Sequence, residues 1–205
     1  MIILALDTST PRGSVALLRD NDALASETFE RARAGDGLFD AIDTVLRRAS
    51  VSPAEIGMFA VGLGPGSFTG IRAAIAAARG LALPGARPIK GVSSFDAIAL
   101  TALSKIPADA TGLCVQCDAR RGELYYALYD RNGEPRGGCR IGSAETKTGT
   151  WVISPDNGFY PDAVMVGRLA QLRGSDRLEP IYLRAPDYRQ SGNSTPHSAA
   201  TILPP

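Results

Sequence analysis

Histidine occurs once in the 205 residues, at position 197, and tryptophan once. With one histidine, a histidine-based zinc site is implausible. A Ser-His-Asp-type triad is equally implausible, since His197 sits in a polar terminal stretch. Cysteine is also scarce: Cys114 and Cys117 form a C-x-x-C pair, and Cys139 is the third. The pair lies in Leu113–Cys117, an apolar run that reads as a strand. On a strand, residues i and i+3 face opposite sides, so two thiols there cannot act together. Buried, reduced cysteines are expected, with neither a metal nor a redox role. Net charge is nearly absent, with 22 Lys and Arg against 21 Asp and Glu. No basic stripe stands out, so any contact with nucleic acid should be indirect. No run approaches the roughly 18 apolar residues of a membrane-spanning helix. The opening Met1–Asp7 reaches an acid without any basic region, which does not suit a secretory leader. A cytoplasmic, membrane-free location is expected.

What is present is a globular composition, 44% hydrophobic, with alternating strand and helix patterns. Ile2–Leu6 is a short apolar run ending at Asp7, and residues 14–20 and 23–29 read as two further strands. Leu38, Ile42, Val45 and Leu46 fall on one helical stripe. Residues 56–62 read as a buried strand, 68–83 as a helix, 89–92 as a strand. Ser93-Ser94 caps a helix to about residue 103. Residues 113–118 and 123–130 read as strands, followed by the turn signal Asn132-Gly133. Residues 137–160 show no clear pattern. A helix is expected over 161–173, with Met165, Leu169 and Leu172 on its packed side. Residues 185–205, poor in apolar side chains and rich in Pro, Ser and Thr, suit a flexible tail.

The two halves open alike. Residues 3–20 run strand, Asp7, glycine-containing turn, strand, Asp20; residues 114–130 run strand, Asp118, glycine-containing turn, strand, Asp130. This repeat resembles the duplicated, two-lobed actin-like α/β fold of sugar kinases and heat-shock chaperone ATPases. Lobes over 1–106 and 107–184 are expected, the second shortened.

Two segments could carry chemistry. Asp7-Thr8-Ser9 occupies the place of the first phosphate-contacting turn in an actin-like ATPase. The plainer reading, that Asp7 caps its own turn, is preferred. In Gly64-Pro65-Gly66-Ser67, a glycine-rich loop enters a helix, a geometry that can cradle anions. It lacks the Gly-Lys-Ser/Thr of a Walker loop, and Ser67 can simply be an N-cap. The following helix is rich in small residues. Gly70, Ala74 and Ala77 form one stripe, and Phe68, Ile71, Ile75 and Ala78 another. Two stripes mean two contacted faces. The stripe through Ala74 and Ala77 is taken as the outer one, with Leu38 and Ile42 alongside.

The run Gly64-Pro65-Gly66-Ser67-Phe68-Thr69-Gly70-Ile71-Arg72 resembles the signature of the TsaB (YeaZ) family. Residues 3–9, 118–126 and 179–184 resemble the family's other marks, in the same order. Two features depart from the pattern: Gly35-Asp36-Gly37 stands where relatives often carry a His-Ser pair, and the second lobe is short over 137–160. The resemblance implies a non-catalytic scaffold, without cofactor, that pairs with the catalytic subunit TsaD and supports the ATPase TsaE. That machinery forms threonylcarbamoyladenosine beside the anticodon of ANN-reading tRNAs. It also implies a subunit interface on the helices at 38–49 and 68–83, through Leu38, Ile42, Gly70, Ala73, Ala74 and Ala77, with a homodimer as a further possibility. Competing readings are a stand-alone actin-like ATPase or kinase, disfavoured by the bulky Ala119-Arg120-Arg121-Gly122 turn, and a glycoprotease-like peptidase, disfavoured by the lone histidine.

Overall fold

The computed structural model describes residues 1–30, 37–144 and 146–183. The expected tail, His197 and most of the Gly35-Asp36-Gly37 turn lie outside them. Strands β1 (Ile2–Asp7), β2 (Arg12–Arg19) and β3 (Asp22–Glu30) form an antiparallel meander. Helix α1 (Leu38–Ala49), β4 (Ile56–Gly62), α2 (Phe68–Ala82), β5 (Ile89–Val92) and α3 (Ser94–Ala102) follow. The second half contributes β6 (Gly112–Asp118), β7 (Leu124–Asp130), β8 (Arg140–Gly142), β9 (Thr150–Ile153) and α4 (Ala163–Arg173).

The first sheet has the order β3-β2-β1-β4-β5, the second β8-β7-β6-β9. In each, a leading strand pairs antiparallel with its hairpin mate and parallel with a later strand, β1 with β4 and β6 with β9. The four-strand core order is therefore repeated, which is the duplicated topology of the actin-like fold. Strands β8 and β9 fall within the stretch whose sequence pattern is unreadable.

The first sheet is covered on both faces, which is why β1 is apolar without alternation. Leu4, Leu6, Val15, Leu17, Phe59 and Val61 face the buried stripes of α1 and α2. Ile3, Ala5, Ala16, Leu18 and Ala60 face α4. Helix α4 lies so close that a Cβ on Gly167 would meet Leu18 Cδ1 at 2.7 Å. One expectation is corrected here. Leu172 is 80% exposed, and the packed stripe is Ala163, Val166, Leu169 and Ala170. Leu169 is packed as expected and Met165 lies against the same cluster, while Leu172 points outward; the close approach of helix to sheet at Gly167 favours small residues such as Ala163 and Ala170 beside them.

The packing crosses the division at 106/107. Helix α4 covers the first sheet, whereas α3 packs Phe95, Ile98, Ala99 and Ala102 against Leu113, Val115 and Ile153 of the second. The two sheets are thereby tied by exchanged helices.

Candidate functional site

Asp7 ends β1 with its side chain fully buried. Oδ1 accepts from Ser9 N at 2.7 Å and from Ser9 Oγ at 2.6 Å, and Oδ2 accepts from Ser94 Oγ at 2.5 Å. Ser94 Oγ in turn accepts from Gly64 N at 3.0 Å. Thr8 Oγ1 donates to the Gly70 carbonyl at 2.7 Å. Asp7 thus locks its own turn, the start of α3 and the glycine loop together. The carboxylate needs room: a Cβ on Gly62 would stand 1.8 Å from Oδ2.

The loop over residues 63–67 carries a cis peptide bond at Gly64-Pro65. Gly66 has φ 153°, and a Cβ there would meet the Ser9 carbonyl oxygen at 2.3 Å, so only glycine fits. Ser67 N donates to that same Ser9 oxygen at 2.7 Å. Ser67 also caps α2, its Oγ accepting from Gly70 N at 3.2 Å. The signature loop therefore fastens β1's turn to the start of α2.

Helix α2 presents an apolar groove, but not by the stripe the sequence suggests. Ala74 is 0% exposed and Ala77 7%, both within the core under the sheet. Gly70 is buried as well, its carbonyl accepting from Thr8. Leu38 and Ile42 turn inward too, at 1% and 4%. The correction has a simple cause: on a helix of alanines, periodicity gives the angle between stripes and not which one faces the sheet. The outward stripe is Ala73, Ala76 and Gly80. With Phe39, Ala77 and Leu81 it lines a groove of about 370 Å³ beside α1. Phe39 is 60% exposed and Leu83, just past the helix, 80%. Phe39, Ala76 and Gly80 are not among the interface residues expected from the sequence. A phenylalanine one position past Leu38, hence about 100° off the packed stripe of α1, is the available signal.

A larger cleft of about 930 Å³ opens between the sheets. Ser9, Thr10, Ser67 and Phe68 line one wall, the 118–121 turn and Tyr125 the other, with Tyr160 and Tyr182 at its edges. Asp7 and Thr8 lie beneath, not in its lining. Arg72 stacks 3.9 Å over the Phe68 ring and donates from Nε to Tyr182 Oη at 3.0 Å, while Phe68 stacks on Tyr182 at 5.0 Å.

The remaining titratable groups are structural in their surroundings. Burial pushes the thiols of Cys114 and Cys139 up to about 11 and that of Cys117 to about 12. Cys114 is buried inside the sheet and Cys117 reaches the cleft, as opposite faces require. Asp96 on α3 accepts from Tyr129 Oη at 2.9 Å and pairs with Arg173 of α4 at 3.3 Å. Burial raises its pKa, outweighing those partners. Among the described residues no cluster of three or more His, Cys, Asp or Glu could hold a metal, and no helix is long and apolar enough to cross a membrane.

Comparison with known proteins agrees with this architecture. TsaB of Escherichia coli K12, a tRNA threonylcarbamoyladenosine biosynthesis protein, is 38% identical over 132 residues, 64% of this chain and 56% of its own length. The Bacillus subtilis TsaB is 33% identical over 136 residues, covering 65% of this chain and 57% of its own. The chain thus spans less than two thirds of the length of these relatives. The solved structure of YeaZ from Pseudomonas aeruginosa superposes with a TM-score of 0.74 at 27% identity, covering 89% of this chain and 99% of that one. The model of the family described as TsaD, tRNA N6-adenosine threonylcarbamoyltransferase, matches residues 36–194, well over half of the sequence. The chain belongs to that family and, within it, to the TsaB (YeaZ) group of threonylcarbamoyladenosine biosynthesis proteins.

Proposed function

We propose that the chain is a non-catalytic subunit that binds the catalytic subunit TsaD, and with it supports the ATPase TsaE, in forming threonylcarbamoyladenosine on tRNA in the cytoplasm. The observation that carries this reading is the apolar groove of Ala73, Ala76, Gly80 and Phe39 on α1 and α2, open among the described residues. Exposed apolar surface of this kind, with no covering element among the described residues, favours burial against another protein. Small side chains let a partner helix approach to about 8 Å. The state of Asp7 fits the same reading: its carboxylate is held by Ser9 and Ser94 below the cleft, not offered to a ligand within it. The interface so proposed uses the two helices the family resemblance implies, through their outward residues. Ala73 keeps its place in it, Leu38 and Ala77 form the floor of the groove, and Ile42, Gly70 and Ala74 support it from beneath.

Copurification from cells with an affinity-tagged copy tests this directly. TsaD should be recovered in stoichiometric amount, with TsaE in a complex that depends on it. Recovery of the tagged chain as a homodimer alone would reject the reading.

A further inference from the structure

Helix α2 carries two arginines and no acid over Phe68–Ala82. Arg72 and Arg79 are seven positions apart, so both stand on the open face of the helix, about 10 Å apart along its axis, with the exposed Ala76 between them. The apolar groove of Ala73, Ala76 and Gly80 runs beside them. Among the described residues neither arginine meets a carboxylate, and the Arg79 side chain makes no hydrogen bond. Arg79 is in the last turn, where a cation suits the helix dipole; Arg72, near the positive end, has no such reason to be there.

Arg72 is held ready for a partner. Its guanidinium lies 3.9 Å over the Phe68 ring, and its Nε donates to Tyr182 Oη at 3.0 Å. The two rings stack at 5.0 Å and 27°. Tyr182 is fixed in turn, because Ile181 N donates to the Leu63 carbonyl at 2.8 Å and Ile181 packs on the first core. With the plane of the fork set and Nε occupied, the two terminal nitrogens remain. Their paired N–H groups match the two oxygens of one carboxylate. The rotamer freedom that an arginine ordinarily loses on binding is here already lost within the chain.

Charge also discriminates between occupants of the groove. A second copy would bring Asp40 and Asp43 of its α1, and Asp43 is engaged by Arg47 at 2.9 Å. One unengaged acid would then meet two arginines, and a twofold pairing along α2 would set arginine against arginine. We infer that the groove takes a helix of TsaD whose small apolar stripe is flanked by acids, with one carboxylate seated bidentately on Arg72 and a second, about two turns along, on Arg79. This rests on the proposed pairing with TsaD and adds the chemistry by which that partner is selected.

The test is the affinity of purified TsaD for the full chain by titration calorimetry, at salt from about 0.05 to about 0.5 M. Parental affinity should fall as salt rises. Arg72→Glu combined with Arg79→Glu should weaken binding at least about a hundredfold and abolish or invert the salt dependence. Arg72→Lys keeps the charge but not the fork, and should lose about tenfold. Tyr182→Phe, which frees Nε without removing charge, should give a smaller loss in the same direction. All should keep the parental melting temperature, since the altered side chains are on the surface. Arg136→Ala, an exposed arginine beyond the far end of β7, should bind like the parent. Native affinity in folded Arg72→Lys and doubly reversed proteins would overturn the inference and leave the pairing with TsaD standing. Failure of the parent to bind TsaD would overturn both. A parent chain that dimerises in sedimentation, through a contact that the double reversal weakens, would give the groove to a second copy and overturn the inference.

Discussion

Ser94 donates its hydroxyl to Asp7 Oδ2 across 2.5 Å, although the two residues are 87 positions apart. Both are fully buried. Asp7 ends the first strand of the first sheet, and Ser94 begins the helix that packs on the second. Hydrogen bonds to a charged group contribute about 1.5–3 kcal/mol each, and a buried carboxylate stripped of one is left under-solvated. Ser94→Ala should therefore lower stability by about 2 kcal/mol in urea unfolding. Gly62→Ala should be worse, since its Cβ would overlap Asp7 Oδ2. A Ser94→Ala protein as stable as the parent would show that water replaces the hydroxyl and that the tie is dispensable.

Gly80 offers a prediction of the opposite sign. It sits in the last turns of α2, and a Cβ there would meet nothing within 4 Å. Alanine is favoured over glycine within a helix by about 0.5–1 kcal/mol. Gly80→Ala should raise the unfolding free energy measured in urea by that amount in the isolated chain.

Much of this was legible in the sequence. The element order from β1 to α3 and the repeated strand–Asp–hairpin follow from apolar runs and turn residues, since both report local backbone demands. The phase of α2 was not legible. Ala73, Ala74, Ala76 and Ala77 are chemically alike, and only the sheet beneath decides that Ala74 is buried and Ala76 open. Strands β8 and β9 were missed because they are short, three and four residues, and lie among Gly, Ser and Thr. The exchange of α3 and α4 between sheets depends on long-range packing that no local pattern reports.

Asp96 should give stability a specific pH dependence. Burial raises its folded pKa above the ordinary 3.8. Between those values the folded chain holds more protons than the unfolded one, so stability falls as pH rises through the window. Asp96→Asn removes that titration. The variant should gain on the parent as pH rises from about 3.5 toward neutrality, as measured by urea unfolding at each pH. A difference between the two proteins that is flat with pH, or that moves the other way, would assign Arg173 the dominant effect.

The cysteines should be slow to alkylate. A thiol at about 11 carries roughly two decades less thiolate at pH 8 than one at about 8.5. Iodoacetamide should accordingly label Cys114, Cys117 and Cys139 only slowly in the native chain, and rapidly in urea. Rapid native labelling of Cys117, the half-buried thiol at the cleft, would contradict its raised pKa and its structural role.

The most direct measurement is the affinity of purified TsaD for three forms of this chain, by titration calorimetry, with thermal unfolding run alongside. Ala76→Trp, on the open stripe of α2, should keep the parental melting temperature. It should weaken binding by one to two decades, as overpacking a seam costs about 1–3 kcal/mol. Ala74→Trp, fully buried beneath the same helix, should unfold the chain instead. Native affinity in a folded Ala76→Trp protein would place the partner elsewhere and contradict the proposed role of the groove.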